Sequence, residues 1–287
     1  EAQELSSFLD HTNTEIGLIS IESNTGLIRV MITGTKSNIN EFNRVTSAIR
    51  PLGSTFKIIP YLAALKEGKT IEHIFIDDPT CWDDYCPNNF EGIYRGEISM
   101  VDSFKFSSNI VPIKIAEEVG LKQIINLANS LGLGNYQPLE ELYPLAIGAY
   151  GDSLINITNV YSAINNNGYL ISPSIIERIE FINGELIWEH KLNSQKIIES
   201  NIVIAINEML EQAVSEGSGI AASITGEKIY GKTGTSDNNR DLWFIGSIKN
   251  LTTGIWLGHD NNDSSVLSSG DAAYLWKIYI SEIKENL

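Results

Sequence analysis

The chain has 287 residues, of which 43% are hydrophobic and 20% charged, and this composition is typical of a globular protein rather than a disordered or fibrous one. Its formal charge of −16, from 36 acidic and 20 basic residues, argues against nucleic acid or anionic lipid as a partner, because an anionic surface repels both. No apolar run approaches the roughly 18 residues of a membrane-spanning helix and no secretory signal is present, so an exported protein would have lost its targeting segment.

The first predicted elements are a hairpin and a helix. Residues 16–33 contain two β-rich runs, and Asn24-Thr25-Gly26 between them supplies the turn. A helix is predicted over residues 53–68, which begin and end in glycine. Pro60 lies inside this pattern and is expected to kink the helix or to disturb its first turns.

An irregular excursion is predicted next, over residues 69–98, because turn-forming residues are frequent there. It contains Cys81 and Cys86, whose spacing fits neither a thioredoxin-like motif nor a zinc site. Two interpretations of this pair stay open: a small-loop disulfide in an oxidising compartment, or two free thiols.

The rest of the chain predicts helices, a hairpin and then a meander. Helical patterns cover residues 101–120, 121–132, 155–168, 200–217 and 272–287, and a hairpin covers residues 177–191. The last third predicts three strands, over residues 227–235, 241–249 and 252–260. We therefore expect one α+β domain over residues 1–287: a five-stranded antiparallel sheet formed by both chain ends, flanked by helices, with a mostly helical insertion at roughly 69–180.

The first motif that could carry chemistry is Ser54 with Lys57. Residues three apart on a helix lie on one face, so this lysine can reach the serine hydroxyl. Serine is a weak nucleophile that needs a base, and lysine is a base only when burial or nearby positive charge keeps it neutral. Taken alone, the pair is more simply an N-cap serine and a surface lysine.

The second motif is Ser107-Ser108-Asn109, predicted at or near a helix start. Its polar side chains could cap a helix, which is the simpler interpretation. They could also supply a hydroxyl that passes a proton and an amide that holds a peptide carbonyl.

The third motif is Lys232-Thr233-Gly234-Thr235, on a predicted strand. A glycine inside a strand often marks a place where another group approaches the backbone closely. A substrate carboxylate along this strand would find one cation and two hydroxyls. The alternative is a solvent-facing edge strand, where lysine and threonine are common.

A second S-x-N sequence, Ser236-Asp237-Asn238, directly follows the third motif. It is predicted to fall in the turn before the next strand, and from there it cannot face the third motif across a cleft. We therefore assign the S-x-N role to Ser107 and Asn109.

These motifs, in this order, resemble those of class A penicillin-binding proteins, within the penicillin-recognising serine acyltransferases. The likeness extends to the surrounding sequence and covers about residues 16–280. The segments that carry it are residues 41–65, 91–120, 143–168 and 231–262. The chain is accordingly identified as similar to the transpeptidase domain of that class.

The resemblance implies a catalytic role for four residues. Ser54 would attack the carbonyl of the penultimate D-alanine of a peptidoglycan stem peptide, and Lys57 would be the general base. Ser107 would relay the proton to the leaving amine, with Lys232 tuning the electrostatic field. A neighbouring peptide amine would then resolve the acyl-enzyme into a cross-link.

The resemblance also implies a substrate-binding role for Asn109, Thr233, Gly234 and Thr235. Asn109 would position the general base and the substrate amide, and the two threonines would hold the terminal carboxylate. The backbone N–H groups of Ser54 and Thr235 would form the oxyanion hole. No metal and no cofactor is expected.

The implied partners are D-Ala-D-Ala stem peptides, β-lactam antibiotics and other cell-wall synthesis proteins, in an extracytoplasmic setting. The glycosyltransferase domain and membrane anchor of the family are absent, so the resemblance implies one domain of a longer protein. Two local departures concern the nucleophile helix. Residues 50–54 read Arg-Pro-Leu-Gly-Ser where the family usually shows Arg-Gln-Pro-Gly-Ser, and Pro60 replaces the proline that usually follows the lysine.

Three alternative functions have sequence features that can be compared with this chain. A D,D-carboxypeptidase or β-lactamase would hydrolyse the same acyl-enzyme, but Glu140 and Glu141 are not followed by the asparagine of a class A β-lactamase motif. A non-catalytic penicillin sensor would share the fold. A Ser-His-Asp hydrolase is disfavoured because no G-x-S-x-G elbow occurs and none of the four histidines, including His11, lies in a catalytic setting.

Overall fold

A computed structural model of the chain describes residues 14–35, 42–134 and 139–286. Its strands are β1 (Glu15–Glu22), β2 (Leu27–Ile32), β3 (Arg50–Pro51), β4 (Ile74–Asp77), β5 (Gly96–Ser99), β6 (Gly151–Asp152), β7 (Tyr169–Leu170), β8 (Arg178–Glu180), β9 (Leu186–Glu189), β10 (Gln195–Lys196), β11 (Tyr230–Thr235), β12 (Asp241–Ile248) and β13 (Leu251–Gly258). Its α-helices are α1 (Ile58–Lys66), α2 (Met100–Lys105), α3 (Val111–Val119), α4 (Leu121–Ser130), α5 (Leu154–Asn165), α6 (Ser200–Ser215) and α7 (Ser269–Ile283).

The main sheet is antiparallel, with strand order β11-β12-β13-β1-β2. Both faces of β12 and β13 are buried, because α5 packs on one face and α7 on the other. The Trp276 indole of α7 donates to the Thr253 carbonyl and meets Phe244 edge-on at 5.4 Å. The predicted five-stranded sheet from both chain ends is confirmed.

The helix predicted over residues 53–68 begins later than its pattern indicates, and the expected disturbance of its first turns by Pro60 is confirmed. Gly53–Thr55 forms a 3₁₀ turn, and the α-helix begins only at Ile58. Pro60 explains the change, because it has no N–H to donate to the carbonyl of Phe56, and that carbonyl receives the Ile59 N–H instead. Pro60 then lies in the first turn of α1, where a missing N–H costs little.

Two further predictions between residues 69 and 120 need correction. The stretch predicted as irregular contains the β4–β5 hairpin, with Cys81 and Cys86 joined by a disulfide in the connection between the strands. The helix predicted over residues 101–120 is broken into α2 and α3, because the backbone of Ser107 turns into the left-handed region, at a φ of 58°. Ser107-Ser108-Asn109 is therefore a connection between two helices.

Candidate active site

The turn that carries Ser54 is held between two parts of the chain. On one side, the Leu52 N–H donates to the Tyr150 carbonyl at 2.9 Å and the Gly53 N–H donates to the Gly148 carbonyl at 3.0 Å. On the other side, the turn packs against β11, and the Ser54 side chain stays partly exposed between them.

Glycines make this close packing possible. A Cβ on Gly53, whose φ is +51°, would lie 2.4 Å from the Thr235 carbonyl oxygen. A Cβ on Gly148, whose φ is +85°, would lie 1.9 Å from the Gly53 carbonyl oxygen. Both positions therefore require glycine. Gly148 was not singled out from the sequence, because a lone glycine between two predicted helices carries no distinguishing signal.

Lys57 is fully buried beneath the turn. Its Nζ donates to Asn109 Oδ1 at 2.6 Å, to the Ser107 carbonyl at 2.8 Å and to Ser107 Oγ at 3.4 Å. Within the described residues, Lys57 Nζ donates no hydrogen bond to Ser54 Oγ. The S-x-N connection between α2 and α3, rather than Ser54, thus holds the Lys57 side chain.

Burial lowers the pKa of Lys57 well below its ordinary value of 10.5. The positive charge of Lys232 lowers this pKa further, and the negative charge of Asp77 opposes the shift. The lowered pKa favours the neutral amine of Lys57, which is the state that a general base requires.

Lys232 on β11 is also fully buried, over the ring of Phe104 at 5.6 Å. Its Nζ donates to Ser107 Oγ at 2.9 Å and to Ser218 Oγ at 3.4 Å. Burial lowers its pKa to about 7. Two buried lysines, from α1's N-terminal end and from β11, therefore meet at one serine hydroxyl, that of Ser107.

Ser218 is a polar residue of the site that the sequence did not reveal. It follows α6, and its hydroxyl accepts a hydrogen bond from Thr233 Oγ1 at 2.8 Å. A single serine after a helix resembles any surface residue, and only the fold brings it to β11. Ser218 and Thr233 together place two hydroxyls beside the Lys232 ammonium.

The register of β11 decides which of its N–H groups are free. The N–H of Ser236 donates to the Asp241 carbonyl at 2.9 Å, and alternate residues of an antiparallel pair make such bonds. The Thr235 N–H therefore points away from β12, towards the turn that carries Ser54. Ser236-Asp237-Asn238 lies in the β11–β12 turn, as predicted, and Ser236 Oγ donates to the Asp241 carboxylate at 2.8 Å.

Two hollows meet at Ser54, with volumes of about 400 and 640 Å³. Both are lined by Ser54, Asn109 and Thr235. The smaller one extends towards Tyr85, Gly148 and Arg240, and the larger one towards Phe90, Phe106 and Ser218. The site is thus an open cleft that can accept an extended chain on either side of the serine.

Other kinds of site find no support in the structure. No cluster of three metal-ligating side chains occurs in residues 14–35, 42–134 and 139–286. Within the same ranges, no helix is long and apolar enough to cross a membrane. His11 lies outside the described residues. His190 contacts the Thr25 carbonyl at 3.0 Å and lines neither hollow.

Residues 17–264 match the family described as penicillin binding protein transpeptidase domain. The chain belongs to this family. It is 31% identical over 272 residues to penicillin-binding protein 1A of Rickettsia prowazekii, a match that covers 85% of the chain and 34% of the relative. The chain thus spans about a third of the length of the curated relatives it matches, and the resemblance to the class A transpeptidase domain is confirmed.

Solved structures of penicillin-binding proteins share the fold. Penicillin-binding protein 1A of Haemophilus influenzae superposes with a TM-score of 0.86 at 22% identity, covering 96% of this chain and 48% of that one. The PonA1 protein of Mycobacterium tuberculosis, in complex with penicillin V, superposes with a TM-score of 0.88 at 20% identity, covering 99% and 82%. At these identities the likeness concerns the fold alone.

Proposed function

We propose that this domain is a serine D,D-transpeptidase that cross-links peptidoglycan stem peptides through an acyl-enzyme on Ser54. One observation carries the proposal: two fully buried lysines, Lys57 and Lys232, share the hydroxyl of Ser107 next to a half-exposed serine in an open cleft. Burying two lysine side chains next to each other destabilises the fold, because their charged forms lose water and repel each other. Buried groups with perturbed pKa values of this kind are concentrated at sites where protons are transferred.

The first half-reaction forms the acyl-enzyme. Ser54 Oγ attacks the carbonyl carbon of the penultimate D-alanine while neutral Lys57 takes its proton. The N–H groups of Ser54 and Thr235 stabilise the negative oxygen of the tetrahedral intermediate. The C–N bond then breaks and D-alanine leaves. Ser107, which is hydrogen-bonded to Lys232, passes a proton to the departing amine.

The second half-reaction forms the cross-link. The amine of a neighbouring stem peptide attacks the ester carbonyl, loses a proton to the lysine and serine relay, and displaces Ser54 Oγ as the C–O bond breaks. A new peptide bond and free Ser54 result. The presence of two hollows on either side of Ser54 supports a site that receives a donor chain and an acceptor amine in turn.

The substrate's terminal carboxylate is assigned to β11. Thr233, Thr235 and Ser218 present hydroxyls there, and Lys232 supplies the positive charge of the strand. A β-lactam carries a carboxylate and a strained amide that mimic the D-Ala-D-Ala terminus, so it would acylate Ser54. The Cys81–Cys86 disulfide favours the extracytoplasmic setting that a cell-wall enzyme requires.

Hydrolysis of the acyl-enzyme, as in a D,D-carboxypeptidase or β-lactamase, is the alternative. In a class A β-lactamase a further base, a glutamate, activates the water that attacks the ester. Glu140 and Glu141 are exposed on a loop and do not line either hollow, so neither supplies such a base in this structure. A stable acyl-enzyme that awaits an amine is the better match to this cleft.

The test is a penicillin adduct mapped to its residue by mass spectrometry, followed by a cross-linking assay with a peptidoglycan precursor. We expect the adduct on Ser54, and we expect Ser54→Ala to lose both adduct and cross-linking. Ser47→Ala, an exposed serine seven residues earlier, is the matched control and retains both. Rapid loss of the adduct in water would favour hydrolysis, and cross-linking that survives Ser54→Ala would refute the assignment.

A further inference from the structure

A buried polar cluster lies behind the S-x-N connection, and the chemistry above does not use it. Its centre is Asp77, the last residue of β4, which is fully buried. The carboxylate accepts hydrogen bonds from Asn89 Nδ2 at 2.8 and 3.0 Å, from Ser108 Oγ at 2.8 Å and from the Arg95 N–H at 3.2 Å. All of these donors are neutral groups, so no cation is paired directly with the carboxylate.

Asn89 connects this carboxylate to the candidate site. Its Nδ2 donates to Asp77 and to the Ile93 carbonyl, and its Oδ1 accepts the N–H of Asn109 at 2.7 Å. Only one orientation of the amide satisfies these partners, since a carboxylate cannot donate and an N–H cannot accept. Asp77 therefore orients Asn89, and Asn89 fixes the backbone of Asn109.

The side chain of Asn109 is fixed by the same segment. Its Nδ2 donates to the Asn88 carbonyl at 2.6 Å, and its Oδ1 accepts from Lys57 Nζ at 2.6 Å. A flipped amide would turn an NH₂ group towards the lysine and leave the Asn88 carbonyl without its donor. The neighbouring Asn88 and Asn89 thus determine which atom of Asn109 meets Lys57.

Asp77 also acts on Lys57 through its charge. The groups that face Lys57 are Lys232 from β11, Asp77 from β4, and Tyr61 on the next turn of α1, which is bonded to Ser103. The nearby pair Asp78 and Lys114 is joined at 2.7 Å on the surface side of β4. Asp77 is the negative member of this set that opposes the lowering of the Lys57 pKa.

We propose that Asp77 and Asn89 are positioning residues for the acylation of Ser54. Through Ser108 and Asn109 they hold the amide oxygen that receives Lys57, and the Asp77 carboxylate is the buried counter-charge to Lys57. This inference rests on the proposed function, because it assigns the cluster a role in a reaction at Ser54.

The experiment measures the rate of Ser54 acylation by a fluorescent penicillin against pH, in the full chain. The acidic limb of this profile reports the deprotonation of Lys57. In Asp77→Asn we expect the plateau rate to fall by about 10-fold or more, because the hydrogen bonds that orient Asn89 and Asn109 are displaced. We expect the midpoint to move to lower pH by about 0.5 to 1 unit, because the charge that raises the lysine pKa is gone.

Asp77→Glu separates position from charge. It keeps the carboxylate but displaces its hydrogen bonds, so the plateau rate falls while the midpoint stays at the wild-type pH. Asp152→Asn is the matched control: Asp152 is equally buried and accepts hydrogen bonds from four residues, but it is not among the charges that act on Lys57. Its midpoint is expected to stay unchanged. Equal midpoints in Asp77→Asn and the wild type would overturn the role of the charge.

If Asp77→Asn gives no cooperative thermal unfolding, Asn89→Gln keeps the positioning role testable. It leaves the net charge unchanged and displaces the contact to Asn109, so we expect a reduced plateau and an unshifted midpoint. A wild-type plateau in this variant would overturn the positioning role. A wild-type chain without an adduct on Ser54 would instead refute the proposed function, so the two failures are distinguishable.

Discussion

Substituting Gly234 by alanine tests whether the turn that carries Ser54, Gly53–Thr55, is held by direct packing against β11. A Cβ at Gly234 would lie 2.8 Å from Thr55 Cγ2, 2.9 Å from the Leu52 carbonyl oxygen and 3.1 Å from the Thr55 nitrogen. Two of these atoms are backbone and cannot rotate away. Ordinary contact begins at 3.4 Å, so the turn must retreat by about 0.5 Å, which is the tolerance within which a catalytic group must be held.

We expect Gly234→Ala to slow acylation of Ser54 by a fluorescent penicillin by about 10- to 100-fold. The free energy of unfolding should fall by about 1 to 3 kcal/mol, because the contact is overpacked. Gly231→Ala is the matched control. It lies on the same strand but faces Phe244, Val214 and Ile245, at 2.6 to 3.2 Å, so it should lose stability without losing the acylation rate.

Equal acylation rates in Gly234→Ala and the wild type, measured well below the unfolding temperature, would refute this reasoning. So would a loss of rate in Gly231→Ala as large as that in Gly234→Ala, since general destabilisation would then explain both. The pair of variants therefore separates displacement of the nucleophile from loss of fold stability.

Two further predictions concern stability. The pKa of Lys232 falls from 10.5 to about 7 on folding, so the unfolded chain binds more protons between these values and stability rises with pH there. Lys232→Met should remove about 2 kcal/mol of the rise in unfolding free energy between about pH 7 and pH 9, measured by urea titration, and an unchanged rise would contradict the assignment. Replacing Cys81 and Cys86 by serine should lower the unfolding free energy by about 2 kcal/mol, and reductant should lower the wild type equally but not the variant.

The buried lysines show how stability and chemistry are opposed in this site. Lys57 and Lys232 are surrounded by protein, and the lowered pKa of each is the measure of how unfavourable its charged form is there. The fold tolerates them because each ammonium or amine finds oxygen partners on Ser107 and on neighbouring groups. In the proposed reaction, the same contacts place both lysines next to Ser107, which passes the proton.

Much of the sheet could be predicted from local sequence. The turn residues Asn24-Thr25-Gly26 and the alternating β-rich runs on either side of them specify the β1–β2 hairpin, and the meander β11–β13 has equally clear boundaries. Helix boundaries were less predictable. Pro60 indicated that the first turns before Ile58 would be disturbed, but not where the α-helix would begin, and the break at Ser107 follows from one backbone conformation that an apolar pattern does not report.

The candidate site, like the fold, could be predicted from the sequence only in part. The three motifs around Ser54, Ser107 and Lys232 were located from sequence because their residue types and order are distinctive. The structure brings them together, with Ser107 Oγ within hydrogen-bond distance of both lysines. Their assigned roles stay predictions until acylation is measured.

The order of the motifs and the strands of the sheet can be predicted from sequence, because both depend on neighbours within a few positions. Packing between distant segments is what places Gly148 against the turn that carries Ser54, Ser218 beside β11 and Asp77 behind Asn109. Each of these residues is ordinary in its own segment. Its burial and its hydrogen bonds come from contacts with segments 14 to 95 residues away.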